Sequence, residues 1–217
     1  MAVKAAPSIL SGDFSRMGEE VTRMERAGAD MIHCDVMDGI FVPNLTFGHK
    51  MVADLRKYAT TPLDVHLMID RPERYLDRYV EAGADRLCFH VEATKTVLVN
   101  LERIRAAGLK AGIAICPETS AESIFDYLSY CDFVIVMGVH PGFSGQKYIP
   151  NTTNKLKALK KEIADRGLSV QLEMDGGANE ANVAAIAAAG ADVIVSGSCA
   201  FNTPTPEKVI ATFQGRA

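Results

Sequence analysis

Imidazole and carboxylate side chains interrupt three otherwise apolar segments of the sequence at every second position. Residues i and i+2 of a strand share a face, so these polar side chains would point away from the apolar face. Buried imidazoles and carboxylates are costly unless they are paired or bind a metal. Two of each around one cavity are a ligand set for one divalent ion such as Zn²⁺, Fe²⁺, Mn²⁺ or Co²⁺. We therefore predict a metal site with the ligands His33, Asp35, His66 and Asp175.

Four further residues of these segments, and Met137 of another apolar segment, have two interpretations each. Asp64 and Glu173 share the polar face but would lie one layer deeper. They either orient the metal ligands through hydrogen bonds or form a separate buried hydrogen-bond layer. Met37, Met68 and Met137 fall at the ends of three segments. They are either core filler or a polarisable wall that shields a reactive intermediate.

Glycine-rich segments follow three of the apolar runs. Residues 137–146 contain three glycines and a proline, Gly176 and Gly177 precede a helical segment, and Gly197 precedes Ser198. Glycine lets the backbone approach a ligand closely, and backbone N–H groups at helix starts bind phosphate. The pattern predicts a phosphorylated substrate.

A repeated tetrapeptide indicates the elements that must position these residues. Ala-Gly-Ala-Asp occurs at 27–30, 82–85 and 189–192, each time between a helical stretch and an apolar run. Glycine closes the helix in the left-handed conformation, and the run that follows starts a strand. Extending the alternation predicts strands near 3–8, 30–36, 62–68, 85–91, 109–115, 132–138, 169–175 and 192–197. It predicts helices near 15–27, 47–58, 72–82, 94–107, 120–129, 152–166, 179–189 and 205–214.

Eight alternating strands and helices predict an α/β protein with parallel strands and right-handed crossovers. We expect one domain, residues 1–217, folded as a single (β/α)₈ TIM barrel with its active site at the carboxyl ends of the strands. The rival is an open doubly wound sheet, which usually carries G-x-G-x-x-G after its first strand. Residues 7–12, Pro-Ser-Ile-Leu-Ser-Gly, lack that motif.

Composition excludes several classes of protein. With 48% hydrophobic and 23% charged residues the chain is an ordinary globular protein, and a net charge of −4 without a basic run argues against nucleic-acid binding. No apolar stretch approaches the ~18 residues of a membrane span, and the first residues lack a secretory pattern. Five cysteines without a C-x-x-C pair indicate reduced thiols. We expect a cytoplasmic protein.

Four segments and three single residues resemble the ribulose-phosphate 3-epimerase family. The segments are 35–44 (Asp-Val-Met-Asp-Gly-Ile-Phe-Val-Pro-Asn), 64–68 (Asp-Val-His-Leu-Met), 141–146 (Pro-Gly-Phe-Ser-Gly-Gln) and 173–177 (Glu-Met-Asp-Gly-Gly). Ser8, Gly197 and Ser198 also match. The likeness runs from about residue 5 to residue 201.

The resemblance implies a barrel that holds one divalent metal at His33, Asp35, His66 and Asp175. It implies that Asp35 and Asp175 are the acid–base pair and that the partner is a small ketose phosphate. Relatives commonly form homo-oligomers. The substrate contacts that it implies are Ser8, His66, Gly142, Phe143, Ser144, Gly145, Gly176, Gly177, Gly197 and Ser198.

The activity implied is inversion of C3 of a 2-ketose phosphate, from D-ribulose 5-phosphate to D-xylulose 5-phosphate in the pentose phosphate pathway. Asp35 and Asp175, from opposite sides of the ring, would exchange protons on the two faces of a cis-enediolate, with the metal as Lewis acid. The sister activity, allulose-6-phosphate 3-epimerase, stays open, because several departures from the family pattern are expected at the cavity mouth. These departures are Ile40, Cys116, Gly138, Ser144 and Met174, with His140 at a variable position.

Two other classes of protein remain as alternatives. A barrel aldolase or decarboxylase often uses a lysine in a strand, but Lys4 and Lys110 stand at strand starts, the wrong end. A non-catalytic phosphosugar-binding protein would not need a pair of acids.

Overall fold

The computed structural model describes residues 3–216, so residues 1, 2 and 217 of the predicted domain lie outside the described residues. The strands are β1 (Lys4–Pro7), β2 (Ile32–Met37), β3 (Leu63–Met68), β4 (Arg86–His90), β5 (Lys110–Ile115), β6 (Phe133–Met137), β7 (Gln171–Asp175) and β8 (Val193–Ser196). The α-helices are α1 (Met17–Arg26), α2 (His49–Leu55), α3 (Leu76–Glu81), α4 (Val97–Ala106), α5 (Thr152–Asp165), α6 (Val183–Ala188), α7 (Ser198–Phe201) and α8 (Pro206–Phe213).

The strands form one parallel sheet that curls into a ring. Neighbours in the ring follow chain order from β2 to β8, and β8 pairs with β1. A parallel bridge between Ser8 and His33 and a 3.0 Å hydrogen bond from the Asp30 N–H to the Ala5 carbonyl join β1 to β2. This closure confirms the predicted (β/α)₈ barrel and excludes the open doubly wound sheet.

The Ala-Gly-Ala-Asp repeat joins a helix to a strand in two ways. Its glycines adopt positive φ, between +87° and +115°, a conformation that residues other than glycine rarely adopt. Its aspartates each accept a hydrogen bond from a backbone N–H of the neighbouring strand: Asp30 from Ala5 (2.8 Å), Asp85 from Leu63 (2.8 Å) and Asp192 from Leu172 (2.9 Å). The repeat therefore ends a helix and also ties adjacent strands together.

Two predicted helices differ from the structure. The helix predicted at 120–129 is a 3₁₀ helix over Glu122–Tyr130. It is rich in Ser, Tyr and Phe, which are weaker helix formers than Ala or Leu. The helix predicted at 72–82 divides into a 3₁₀ turn, Pro72–Arg74, and α3. The left-handed Arg71 (φ 50°) precedes the turn and the non-helical Tyr75 follows it. The short helix α7 was not predicted.

The apolar and polar faces of the strands separate as predicted. Ile32, Cys34 and Val36 belong to the main hydrophobic cluster, which also contains residues of the surrounding helices. His33 and Asp35, on the alternate face, are also buried, at 0% and 4% exposure. The interior of the barrel therefore carries charge, and the outer layer carries most of the hydrophobic core. No helix within residues 3–216 is long and apolar enough to cross a membrane.

Candidate active site

The four predicted metal ligands, from three strands, converge in the interior of the barrel. His33 and Asp35 lie on β2, His66 lies on β3 and Asp175 ends β7. The parallel register sets Asp35 directly beside His66. Each of the four residues offers a donor atom, and these atoms all lie within 4.8 Å of one another. The barrel therefore brings together residues that are up to 142 positions apart (175 − 33) in the chain.

The two imidazoles direct different nitrogens into this group of four residues. His33 Nε2 lies 3.4 Å from Asp35 Oδ1 and 3.7 Å from Asp175 Oδ2. His66 Nδ1 lies 3.3 Å from each of the same two oxygens. Both nitrogens are buried and make no hydrogen bond to any of residues 3–216. Two unpartnered imidazole nitrogens facing two carboxylate oxygens fit a divalent cation, because each would become a ligand.

The electrostatics of the site favour positive charge. Burial disfavours the charged imidazole of His66, but Asp175 and Asp35 outweigh burial and raise its pKa to about 9. Burial also opposes the charge on Asp35, yet His33 and His66 hold the pKa of this carboxyl below its ordinary value. These pKa shifts favour ionised carboxylates and protonated imidazoles, and a metal ion would replace the imidazole protons.

Asp64 fits both interpretations given to it, and Glu173 fits the separate buried hydrogen-bond layer. Asp64 Oδ2 accepts a 2.8 Å hydrogen bond from His33 Nδ1, which leaves His33 Nε2 free to face the metal position. Asp64 Oδ1 and Glu173 Oε2 accept hydrogen bonds from Arg86, at 2.8 and 2.6 Å. Burial, and then Asp64, raise the pKa of Glu173 to about 7. Asp64 therefore orients His33, a predicted metal ligand, and also belongs to a buried charged layer.

Arg86, on β4, was missed from the sequence. It is 6% exposed, donates to Gln171 as well as to the two acids, and its guanidinium lies 3.9 Å from the centre of the Phe133 ring. Arg86 balances the carboxylates beneath the site. The signal was present, because Arg86 and His90 occupy alternate positions of their strand, as His33 and Asp35 do.

The two predicted acid–base residues differ in their surroundings. Asp35 accepts a hydrogen bond from the Ser8 hydroxyl at its second oxygen. Strands β1 and β8 separate β2 from β7. The two aspartates therefore stand three strand positions apart, not on opposite sides of the ring as predicted. They still meet, because both side chains point to the barrel axis.

A cavity of about 220 Å³ lies above these aspartates, at the carboxyl end of the barrel. Asp35 and Asp175 line it, and the fully buried His66 lies beneath it. Every other predicted substrate contact and all three methionines line it: Ser8, Met37, Met68, Met137, Gly142, Phe143, Ser144, Gly145, Gly176, Gly177, Gly197 and Ser198.

Comparison with known proteins assigns the family. A model of the ribulose-phosphate 3-epimerase family matches residues 4–201. The chain belongs to the ribulose-phosphate 3-epimerase family. It is 51% identical to a ribulose-phosphate 3-epimerase of Rhodobacter capsulatus, over 95% of this chain and 90% of that protein. It is 43% identical to the enzyme of that name from Escherichia coli strain K12, over 94% and 92% of the two chains. Enzymes of this name are carbohydrate epimerases.

Solved structures support the fold. A 3-hexulose-6-phosphate synthase superposes with a TM-score of 0.69 at 16% identity, covering 100% of this chain and 99% of that chain. A tryptophan synthase from Mycobacterium tuberculosis gives a TM-score of 0.69 at 14% identity, covering 99% and 92%. At such low identity these likenesses show a shared barrel and nothing about activity.

The glycine pair after β7 has a steric reason in this member of the family. Gly176 and Gly177 have φ of +100° and +74°. A Cβ on Gly177 would lie 2.5 Å from Tyr148 Cα, and a Cβ on Gly176 would meet Val139. The turn therefore requires glycine twice, which brings its backbone to the cavity.

Side-chain hydrogen bonds hold the loop after β6 over the cavity. Gln146 Nε2 donates to the carbonyls of His140 and Phe143, at 2.7 and 2.9 Å. Asn44, from the loop after β2, donates to the Gly142 carbonyl at 2.7 Å. Phe143 is 53% exposed at the mouth. The two loops therefore form one rim.

The departures from the family pattern are not concentrated at the cavity mouth, contrary to our expectation. Of the five residues, within the part of the chain that the structure describes, Ser144 alone lines the cavity. Met174 is fully buried on the outer face of β7, and Ile40 is 76% exposed on a loop. Cys116 lies behind the site, with its sulfur 3.4 Å from His90 Nδ1. His90, whose Nε2 is 2.9 Å from His66 Nε2, was also missed from the sequence.

Proposed function

We propose that the protein is a metal-dependent epimerase that inverts C3 of D-ribulose 5-phosphate to give D-xylulose 5-phosphate. The observation that carries the proposal is the pair of carboxylates, Asp35 and Asp175, at one cavity floor with two unpartnered imidazole nitrogens between them. Family membership and relatives named ribulose-phosphate 3-epimerase support the substrate.

Asp35 and Asp175 would exchange protons with the two faces of the planar enediolate. One carboxylate removes the C3 proton, and the other, protonated, returns a proton to the opposite face. The Ser8 hydroxyl holds one oxygen of Asp35, which fixes the direction of its other oxygen. Which aspartate acts as the base depends on the direction of the reaction.

His33, Asp35, His66 and Asp175 would hold the divalent ion, for which Zn²⁺, Fe²⁺, Mn²⁺ and Co²⁺ are the candidates. When bound, the ion supplies a Lewis acid that stabilises negative charge next to C3. Asp64 keeps the proton of His33 on Nδ1, so that Nε2 remains a ligand.

The remaining lining divides into an apolar wall and a backbone-rich end. Met37, Met68 and Met137 carry no exchangeable proton and would shield the enediolate from water. Gly177 and Ser198, after β7 and β8, lie where barrels of this kind bind phosphate. The loop residues Gly142–Gly145 would cover the sugar.

Two other activities are kept as outcomes of the test. Allulose 6-phosphate would use the same acid pair and differs in chain length. An aldolase or decarboxylase would need another acid–base group, and Lys4 and Lys110 are exposed at the opposite ends of their strands. A homo-oligomer and a cytoplasmic location remain proposals that rest on the family resemblance and on the unpaired cysteines.

The test is turnover in heavy water with each sugar phosphate. An epimerase introduces deuterium at C3 alone, and we expect a higher kcat/KM for ribulose 5-phosphate than for allulose 6-phosphate. The reverse preference would assign the sister activity, and carbon–carbon cleavage would assign a lyase. Chelation followed by metal add-back tests the ion, because full activity in a metal-free sample would contradict metal dependence.

A further inference from the structure

A chain of hydrogen bonds runs away from the metal position behind His66. His66 Nε2 lies 2.9 Å from His90 Nε2, and the two ring planes are inclined by 26° with their centroids 5.0 Å apart. Both imidazoles are fully buried. A contact between two imidazole nitrogens is a hydrogen bond only if one carries a proton and the other does not. The contact therefore also requires a proton on one of these two nitrogens and none on the other.

The role of His66 as a ligand decides where that proton lies. His66 directs Nδ1 at the two aspartates, and this nitrogen has no hydrogen-bond partner in the part of the chain that the structure describes. A neutral imidazole that ligates through Nδ1 carries its proton on Nε2. That N–H then donates to His90 Nε2, so His90 must carry its own proton on Nδ1.

Glu92 is placed to accept a hydrogen bond from the protonated Nδ1 of His90. Its Oε2 lies 3.2 Å from His90 Nδ1. Its other oxygen, Oε1, accepts from the Cys116 backbone N–H at 2.8 Å and from the Thr119 hydroxyl. The carboxylate is therefore held at both oxygens, and its side chain is 26% exposed.

Lys155, on α5, fixes the loop that holds Glu92. Its ammonium donates to three carbonyls of that loop, those of Cys116, Pro117 and Thr119, at 2.9, 2.6 and 2.5 Å. These contacts turn the Cys116 N–H and the Thr119 hydroxyl toward the carboxylate. The chain of contacts thus runs from an outer helix to a ligand at the barrel centre.

A second metal site at His90, Glu92 and Cys116 is the competing interpretation, since their donor atoms also lie within 4.8 Å of one another. Metal at His90 Nδ1 would require the His90 proton to be on Nε2, where it faces His66 Nε2. His66 would then have no proton on either nitrogen while it ligates through Nδ1. Because the two rings share one proton between their Nε2 atoms, a metal ion can bind at His66 Nδ1 or at His90 Nδ1, but not at both.

We propose that His90 and Glu92 are positioning residues that hold His66 in the tautomer that ligates metal through Nδ1. The inference rests on the proposed function, because it requires the metal at His33, Asp35, His66 and Asp175. Asp64 acts directly on His33, whereas Glu92 acts on His66 through one additional imidazole. Loss of an outer partner of a ligating histidine typically lowers metal affinity by about 10–100-fold.

The experiment measures Co²⁺ affinity by chelator competition, together with the visible spectrum of bound Co²⁺. His90→Leu removes the acceptor, and we expect its affinity to fall by about 10–100-fold. His90→Gln can place a carbonyl oxygen where Nε2 stood, so it should recover most of the affinity and the wild-type spectrum. Glu92→Gln has one carbonyl oxygen for donors on two sides, so it should also weaken binding.

Two controls separate this chain from other effects. Glu118→Gln removes a carboxylate charge from the loop that holds Glu92, at a residue that pairs with the exposed His140. Cys116→Ser keeps the backbone N–H that Glu92 uses but removes the sulfur. Both variants should bind Co²⁺ like wild type.

Each outcome bears on a different claim. Wild-type protein that binds no Co²⁺ would overturn the metal-dependent function and the inference with it. Wild-type binding with unchanged affinity in folded His90→Leu and Glu92→Gln would overturn the inference alone. An equal loss of Co²⁺ affinity in His90→Leu and His90→Gln would show that His90 acts by packing alone and would overturn its positioning role. Two Co²⁺ per chain, with one lost in Cys116→Ser, would assign a second metal site instead.

Discussion

Among single residues, Asp175 and Asp35 carry the proposed chemistry. They differ in their hydrogen bonds and in their position on the strand. Ser8 hydrogen-bonds to Asp35, while Asp175 stands at the end of β7, where its side chain is 10% exposed. Burial and Asp35 oppose ionisation of Asp175, but His33 and His66 outweigh them and lower its pKa. Its charge is therefore maintained by the same imidazoles that would bind the metal.

Replacing either acid should stop epimerisation without unfolding the barrel. In Asp175→Asn and Asp35→Asn we expect kcat to fall by at least about 10³-fold, because general acid–base catalysis contributes about 10²–10⁴-fold and each aspartate is also a proposed metal ligand. Steady-state kinetics and circular dichroism are the measurements. Near-normal turnover in Asp175→Asn would contradict the two-carboxylate mechanism.

Arg86 makes a prediction about stability. It pairs with Asp64 and Glu173 where all three side chains are at most 8% exposed. Arg86→Met leaves buried acids uncompensated, which typically costs about 3–5 kcal/mol. Arg103→Met removes the exposed ion pair with Asp77 and should cost far less. Denaturant unfolding compares the two variants, and equal losses would show that the buried layer does not stabilise the barrel.

The strands and the glycine-closed helices could be predicted at the scale of elements, because a repeated tetrapeptide and alternating polarity mark them. The polar strand faces that carry the four candidate ligands could be predicted for the same reason, since alternation depends on neighbouring residues alone. The contacts of Arg86 and His90 could not, because they depend on which strands lie side by side. The 3₁₀ helix Glu122–Tyr130 was missed because apolar spacing does not distinguish it from an α-helix.

The turn after β7 tests whether backbone approach to the cavity requires glycine. Gly177 and Gly108 have similar φ, +74° and +85°, but a Cβ on Gly108 would meet nothing within 4 Å. The free energy of unfolding of Gly108→Ala should therefore be about 1–2 kcal/mol lower than that of wild type, the ordinary cost of a left-handed backbone conformation. Gly177→Ala should be destabilised more and should have a higher KM, because its Cβ would collide with Tyr148. Thermal unfolding and kinetics are the measurements, and equal losses with unchanged KM would contradict this account.

At the scale of the whole molecule, the proposed metal site ties together distant parts of the ring. Its ligands come from β2, β3 and β7, and the Ser8–His33 bridge joins the end of β1 to β2 beside them. A cation that binds only the folded ring stabilises it by mass action, by about 2.7 kcal/mol at 100 times the dissociation constant. For a chain of this size that corresponds to a rise in Tm of about 5–10 °C.

We therefore expect Zn²⁺ or Co²⁺ to raise the Tm of wild-type protein and a chelator to lower it again. His33→Ala removes one ligand nitrogen, so the same metal concentration should produce a much smaller rise. Glu118→Gln, outside the ligand set, should respond like wild type. Differential scanning calorimetry with and without metal gives the comparison. An equal rise in His33→Ala would show that the ion stabilises the protein from another site, and the convergence of β2, β3 and β7 would then need another explanation.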